Sequence, residues 1–230
     1  MDKSEQPQFR FVKHLKIDKF GEVNLVTLIA DDKSAVVRDF SKAKLLWKIL
    51  ARLIAKREIA ALNYANRQCE FSQDQVIAKI LYADHQMVVR SFIAGEPLDR
   101  AGKQPLEYFD QALELIKAFH AAGLVHRDLE KPQNWLVKSD GSPALLDFQL
   151  AKAMNKNSFW FRTAVKDDLR YFAKNKKRLC LEPLSAQEQD WLDQRSWLNR
   201  FWKAIVKPCY RFVTRKIFRW SDRGNSQVSR

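Results

Sequence analysis

The stretch from residue 119 to residue 151, FHAAGLVHRDLEKPQNWLVKSDGSPALLDFQLA, constrains this chain more than any other. A helical segment ends at Gly123, and an HRD tripeptide whose last residue is Asp128 follows it. A polar loop then leads to Asn134, a short apolar strand, an Asp-Gly turn and a second apolar strand that runs into Asp147. The pattern therefore predicts one loop–hairpin unit that carries Asp128, Asn134 and Asp147.

These three side chains have the chemistry that phosphoryl transfer needs. The reaction uses one carboxylate at the acceptor hydroxyl, and it uses amide and carboxylate oxygens to hold Mg²⁺ between the phosphates of ATP. We therefore expect Asp128 to orient the acceptor hydroxyl, and we expect Asn134 and Asp147 to ligate Mg²⁺. An HRD tripeptide alone is a weak signal. The preceding helix, the strand–turn–strand pattern and the Asp-Phe pair make coincidence a poor explanation.

The catalytic segments HRDL and DFQLA, with KREIAAL and SFIAGEPL before them, resemble the kinase-like phosphotransferases of bacterial lipopolysaccharide cores. Those are the 3-deoxy-manno-octulosonic acid (Kdo) kinases and the heptose kinases, and the resemblance covers roughly residues 10–185. It implies an enzyme, a kinase that transfers phosphate from ATP, with Mg²⁺, to a sugar hydroxyl of an envelope glycolipid. The alternatives are a Ser/Thr protein kinase and a membrane-associated pseudokinase or binding module.

Two departures from the usual kinase pattern lie in this unit. Five residues separate Asp128 from Asn134 where the usual motif has four, so the loop must bulge. Either Glu130 or Lys131 then occupies the place of the phosphate-facing lysine, and charge favours Lys131 as a catalytic and nucleotide-binding residue. Gln149 replaces the glycine of Asp-Phe-Gly, which removes a flexible hinge. This predicts a metal-binding loop that stays in one position rather than switching between two.

The amino-terminal half supplies the candidate nucleotide-binding residues. Residues 9–40 alternate like three antiparallel strands. Arg38 lies where a kinase has its phosphate-binding lysine, and Glu58, in the following helix, is its expected partner. Gly21, at the first strand turn, is a weak candidate for a phosphate-covering loop. The competing interpretation is a solvent-facing arginine and an ordinary helix glutamate; Arg38 also motivates the pseudokinase alternative, because arginine changes the geometry of the contact.

The rest of the chain predicts the order of elements. Residues 41–64 have helical periodicity, with one apolar side formed by Leu45, Leu46, Ile49, Leu50, Leu53, Ile54 and Leu62. Two short strands follow within residues 75–93, and Ser91–Ile93 would meet an adenine edge. A helix opened by Pro105 leads to the catalytic unit. Asp168, in a later helix, either braces the catalytic loop or is a plain helix carboxylate.

This order is typical of an α+β, two-lobed protein-kinase-like fold. We expect a small antiparallel-sheet N-lobe in residues 1–94 and a reduced helical C-lobe with the catalytic loop in residues 95–194. Residues 195–230 form a basic, aromatic tail with helical spacing.

Charge points to an anionic partner. The net charge is +14, and residues 195–230 alone hold ten Lys or Arg and one acidic residue. We expect an anionic glycolipid or phosphorylated saccharide as acceptor, and an inner-membrane surface as a partner of the tail. A packed helix with a solvated basic face explains the tail equally well. Nucleic acid is disfavoured, because no nucleic-acid motif accompanies the charge.

The expected cellular location follows from motifs and segments that the sequence lacks. Cys69, Cys180 and Cys209 are isolated, which argues against a zinc site or a disulfide framework and fits a reducing compartment. The polar N-terminus contains no signal-peptide pattern, and no window is long and apolar enough to span a bilayer. We therefore expect a cytoplasmic protein, peripheral on the inner face of the cytoplasmic membrane if the tail binds there.

Overall fold

The computed structural model describes residues 6–41, 43, 45–71 and 75–193. The predicted tail of residues 195–230 lies outside these described residues, and so does Cys209. The predicted boundaries at residues 94/95 and 194/195 stay predictions. None of the helices in the described ranges is long and apolar enough to cross a membrane.

The amino-terminal part is a five-stranded antiparallel sheet with one long helix. Its elements are β1 (Phe9–Asp18), β2 (Gly21–Leu28), β3 (Ser34–Asp39), α1 (Leu45–Gln68), β4 (Ile80–Ala83) and β5 (Met87–Ser91). The strands lie in the order β1-β2-β3-β5-β4, and each neighbouring pair is antiparallel. The three predicted strands and the two later ones are confirmed. Because β3 has a partner on both sides, it can bury the apolar run Ala35, Val36 and Val37.

Helix α1 buries a different side from the predicted one. The side facing the protein is a stripe of small residues with one acid and one leucine: Ala51, Ala55, Glu58, Leu62 and Ala65. These positions repeat at helical spacing, and their small side chains allow the helix to pack closely. The prediction that Ile49, Leu50 and Leu53 share a face with Leu62 is wrong, because the three are 50%, 42% and 53% exposed.

The carboxy-terminal part is mainly helical and holds two small sheets. Its elements are β6 (Glu96–Pro97), α2 (Leu98–Ala101), α3 (Leu106–Ala121), β7 (Leu124–Val125), β8 (Trp135–Val137), β9 (Pro143–Leu145), β10 (Lys152–Ala153), α4 (Phe159–Leu179) and α5 (Ala186–Asp193). Strands β6, β8 and β9 form one sheet, and β7 pairs with β10. As predicted, α3 follows Pro105 and ends before Gly123, whose φ of 80° terminates the helix.

The core of this part lies directly beneath the catalytic unit. Phe119 of α3 packs edge-on against Phe148, which follows Asp147, with ring centroids 5.6 Å apart. The ring of His126 also packs against Phe148, at 4.9 Å. The α+β class, with an antiparallel-sheet lobe followed by a helical part, is therefore confirmed, and the catalytic stretch is anchored to the core at both ends.

Candidate active site

The predicted catalytic loop converges on the carboxylate of Asp128. Lys131 Nζ donates a hydrogen bond to Asp128 Oδ2 at 2.7 Å. Asn134 Nδ2 donates to the same oxygen at 3.1 Å and to the Asp128 carbonyl at 3.0 Å. The loop ends in a single 3₁₀ turn, Pro132–Asn134. The longer loop therefore does not carry Asn134 away from Asp128.

The structure distinguishes the two candidates for the phosphate-facing position. Glu130 accepts a hydrogen bond from Lys174 on α4 at 2.8 Å, whereas Lys131 lies on Asp128. Partial burial acts to lower the pKa of Lys131, but the hydrogen bond to Asp128 and the negative charges of Asp128, Asp147 and Glu130 together outweigh that effect and raise the pKa. Lys131 is therefore a fixed positive charge beside the carboxylate at neutral pH.

Asp147 lies beside the end of the catalytic loop. The amide of Leu146 donates to the carbonyl of Asn134 at 2.8 Å, so the next residue, Asp147, is placed next to that loop. The φ of Asp147 is 61°. A left-handed conformation costs a non-glycine residue about 1–2 kcal/mol, and such strain is retained where the surroundings require it, often at functional sites.

His126 ties Asp128 to the strand before Asp147. Its Nδ1 accepts from the Asp128 amide at 3.3 Å, and its Nε2 hydrogen bonds with the Leu146 carbonyl at 3.0 Å. Burial lowers the pKa of His126, so the ring is neutral and donates through Nε2–H. The sequence predicted no role for His126. The only signal was its position beside Asp128.

Asp168 braces the catalytic loop from below. Its side chain is 1% exposed and accepts hydrogen bonds from the amides of His126 and Arg127, both at 2.9 Å. The Nε2 of His120 lies 3.2 Å from it. Arg127 has a φ of 67°, so Asp168 holds a strained backbone immediately before Asp128. The bracing interpretation is confirmed over that of a plain helix carboxylate.

The predicted pair of the amino-terminal lobe is present, with a third member. Glu58 is 6% exposed; its Oε2 lies 3.9 Å from Arg38 Nη1, and its Oε1 accepts a hydrogen bond from Arg90. The sequence predicted no role for Arg90. The feature that could have indicated it is the pairing register of β3 and β5. Arg90 pairs with Val36, two residues from Arg38, so the two arginines share one face of the sheet. Glu58 therefore lies between two cations.

Gly21 lies at the first strand turn, as predicted, for a reason of packing. It pairs with Asp18 at the start of β2 and has a φ of 126°. A Cβ atom there would lie 2.0 Å from the carbonyl oxygen of Asp39. Only glycine allows the turn to approach the end of β3 this closely.

The seven predicted site residues thus form two groups. Gly21, Arg38 and Glu58 belong to the first lobe, and the second group is Asp128, Lys131, Asn134 and Asp147. No hydrogen bond or ion pair joins the two groups in the described part of the chain.

Metal binding fits the second group if a nucleotide completes the site. Among the described residues, no three His, Cys, Asp or Glu side chains gather into an all-protein metal cage. Mg²⁺ at nucleotide sites takes one or two carboxylates and completes its shell with phosphates and water. Because the Asn134 amide nitrogen is bonded to Asp128, its oxygen Oδ1 is the atom that remains for a cation, and Asp147 would supply the carboxylate.

Comparison with known proteins gives the same class. The family model for the RIO domain matches residues 15–183. Mitogen-activated protein kinase spm1 of Schizosaccharomyces pombe is 29% identical over 166 residues, 66% of this chain and 38% of that protein. Serine/threonine-protein kinase cds1 of the same yeast is 26% identical over 173 residues, 71% of this chain and 37% of that protein.

A bacterial relative, probable serine/threonine-protein kinase PknB of Lactococcus lactis, is 29% identical over 105 residues, 42% of this chain and 17% of that protein. The chain spans less than two fifths of the length of each of these three relatives. The predicted kinase class is confirmed. The matching family is broader than the lipopolysaccharide core kinases named above, and the match does not single those kinases out. Since the family model covers most of the chain, this protein belongs to the RIO domain family, a protein-kinase-like family.

Proposed function

We propose that this chain is an ATP- and Mg²⁺-dependent phosphotransferase that acts on an alcohol hydroxyl. The observation that carries the proposal is the convergence of Lys131 and Asn134 on the carboxylate of Asp128, with Asp147 at the next strand end. This arrangement unites a proton acceptor, a fixed cation and two metal-binding oxygens. Family membership supports the nucleotide as phosphate donor.

Each residue of this group has a separate task. Asp128 accepts the proton of the acceptor hydroxyl and directs its oxygen toward the phosphate. Lys131, half of whose side chain is exposed, remains in reach of the transferred phosphate and offsets its charge. Bound to Asn134 and Asp147, Mg²⁺ would supply neutralisation of the phosphate oxygens. His126 and Asp168 hold Asp128 in place, so orientation needs no rearrangement when substrate arrives.

The nucleotide phosphates are assigned to the first lobe. We place them on the guanidinium of Arg38, which is oriented by Glu58; the other oxygen of Glu58 pairs with Arg90. A planar fork can contact two phosphate oxygens at once, whereas the usual lysine contacts one. The turn at Gly21 approaches the end of β3, one residue beyond Arg38, and would cover the phosphates from above.

For the acceptor we propose a sugar hydroxyl of an anionic envelope glycolipid. The resemblance of the HRDL and DFQLA segments to lipopolysaccharide core kinases supports this choice. A pocket of about 450 Å³ next to the catalytic loop adds to it, since its lining includes Arg57, Arg127 and Lys152 and no carboxylate. Three cations around one cleft favour an acceptor that carries phosphate or carboxylate groups.

A Ser/Thr protein kinase is the second candidate, because two of the relatives compared above are named serine/threonine-protein kinases. One transfer assay separates the candidates. Wild type and an Asp128→Ala variant are incubated with γ-labelled ATP, Mg²⁺ and either a glycolipid extract or a protein mixture. Asp128-dependent label in the lipid fraction supports the first candidate, and label in protein alone supports the second. Absence of transfer to both would support the pseudokinase alternative.

We also propose that the basic tail binds the anionic inner face of the cytoplasmic membrane. The support is its charge, ten Lys or Arg against one acidic residue in residues 195–230, interleaved with aromatic side chains. Truncation after Asp193 is expected to weaken binding to anionic vesicles, most strongly at low salt. Unchanged vesicle binding in the truncated chain would favour a packed helix instead.

A further inference from the structure

Helix α1 presents its largest aliphatic side chains to solvent. Ile49, Leu50 and Leu53 are 50%, 42% and 53% exposed, while the alanines on the opposite stripe are buried. The outward stripe continues for another turn through Lys56 and Arg57, both exposed. We call these five residues the outer face of α1. It is apolar over its first half and cationic over its second half.

The outer face carries no negative charge. Glu58 is the one acidic residue of α1, and it points inward to Arg38 and Arg90. No ion pair engages Lys56 or Arg57 within the described residues. An ordinary solvated helix face mixes both charge signs and places few large aliphatic residues in water. This face does neither.

An aromatic and cationic cluster lies at the start of the same helix. The ring of Trp47 packs edge-on against Phe20 at 5.4 Å, and Lys19 Nζ lies 5.5 Å from the centre of the Trp47 ring. Tryptophan and lysine side by side are typical of the boundary between lipid headgroups and water. The cluster therefore extends the outer face toward the turn between β1 and β2.

We propose that the outer face of α1 docks on an anionic bilayer surface. Ile49, Leu50 and Leu53 would enter the boundary between headgroups and acyl chains, with Lys56 against lipid phosphates and Arg57 at the edge of the acceptor pocket. Charge complementarity selects this occupant, because aliphatic side chains with Lys19 near one end and Lys56 and Arg57 at the other match anionic headgroups over hydrocarbon. A second copy of the chain would set the same cations against one another. The inference extends the proposed function, since a lipid-linked acceptor lies at that surface.

Docking leaves the nucleotide-binding group intact. Glu58 occupies the opposite stripe of α1, and its contacts with Arg38 and Arg90 point away from the outer face. Changes at Ile49 and Leu53 can therefore test membrane contact while ATP turnover without lipid serves as an independent reference. That separation distinguishes failure of this inference from failure of the proposed function.

The test is co-sedimentation of the full chain with phosphatidylcholine vesicles, with and without phosphatidylglycerol. An I49Q/L53Q double variant is expected to bind the anionic vesicles about tenfold more weakly, because two half-exposed aliphatic side chains lose their burial in lipid. A Lys56→Gln variant is expected to bind about fivefold more weakly, with a smaller dependence on salt. The matched control, I29Q/L181Q, changes two aliphatic residues that are each 63% exposed elsewhere and is expected to bind like wild type.

Thermal unfolding and lipid-free ATP turnover are measured on the same samples, to show that I49Q/L53Q is folded and retains the wild-type rate. Equal vesicle binding by wild type and I49Q/L53Q would overturn the inference, as would absence of binding by the wild type. A shift of I49Q/L53Q from dimer to monomer in light scattering, without loss of vesicle binding, would assign the face to self-association and also contradict it.

Discussion

Replacing Asp168 with asparagine tests whether the catalytic loop is held in place from α4. The Asp168 carboxylate accepts the amides of His126 and Arg127, both at 2.9 Å, through its two separate oxygens. Asparagine has the same shape but one accepting oxygen, so one of the two buried amides must face an NH₂ group. The substitution therefore removes one hydrogen bond to a charged acceptor and leaves one donor unpaired.

The expected cost follows from these two losses. A hydrogen bond to a charged group contributes about 1.5–3 kcal/mol, and an unpaired buried donor costs about 1–3 kcal/mol. Allowing for partial relaxation, we expect Asp168→Asn to lower the free energy of unfolding by about 2–4 kcal/mol, from a typical total of about 5–15 kcal/mol. Relaxation of Arg127 would displace Asp128, and a displacement of about 1 Å costs on the order of 100-fold in turnover.

The assay is urea unfolding together with Mg²⁺-dependent ATP turnover under conditions where the variant is folded. Asp167→Asn is the matched control, because Asp167 Oδ1 has no hydrogen-bond partner among the described residues and burial raises the pKa of this carboxyl group. We expect that control to change stability by less than about 1 kcal/mol. An Asp168→Asn variant that matches Asp167→Asn in both stability and turnover would refute the bracing role.

Three further predictions concern the fold around the two groups. Glu58→Gln is expected to lower the free energy of unfolding in urea by about 1–3 kcal/mol, because two partly buried arginines lose their counterion. An equal effect of Glu114→Gln, which removes the carboxylate of an exposed ion pair, would contradict this. Gly21→Ala is expected to cost at least about 2 kcal/mol, and Gly141→Ala only about 1 kcal/mol, since open space surrounds Gly141. Because burial lowers the pKa of His126 below its ordinary value of 6.5, the unfolded chain binds its proton first. Stability is then complete above pH 6.5 and falls as the pH decreases toward the lowered pKa, by at most about 1.4 kcal/mol per pH unit; an unchanged slope in His126→Gln would exclude this residue as the cause.

The second group of site residues was predictable because its geometry is local. Asp128, Asn134 and Asp147 lie on one loop and one short hairpin, so strand and turn patterns alone bring them together. Lys131 was predicted as the phosphate-facing residue of the same loop because of its positive charge. The choice between Lys131 and Glu130 needed the structure, because it depends on Lys174 of α4, which is 44 residues from Glu130 along the chain.

The networks around that unit depend on long-range register and were not predicted. Arg90 joins Glu58 across 32 residues only because β5 pairs with β3 in one alignment. His126 joins Leu146 across 20 residues through a buried ring. Neither contact has a sequence motif. Strand pairing creates the first contact, and packing of the buried His126 ring against Phe148 positions the second.

The face of α1 was mispredicted for a physical reason. Periodicity ranks residues by hydrophobicity, so it selected Ile49, Leu50 and Leu53 as one apolar side. The structure instead buries small residues such as Ala51 and Ala55, since close packing of the helix leaves room for little else. The exposed aliphatic residues that result are the basis of the proposed membrane contact.

The most direct test of the central claim is Mg²⁺-dependent ATP turnover by one preparation each of wild type, Asp128→Ala and Asp147→Ala. We expect Mg²⁺-dependent turnover by the wild type and loss of turnover in both variants, although each variant remains folded. Equal background in all three proteins, with glycolipid, sugar and protein acceptors present, would contradict the assignment of Asp128 and Asp147 to phosphoryl transfer.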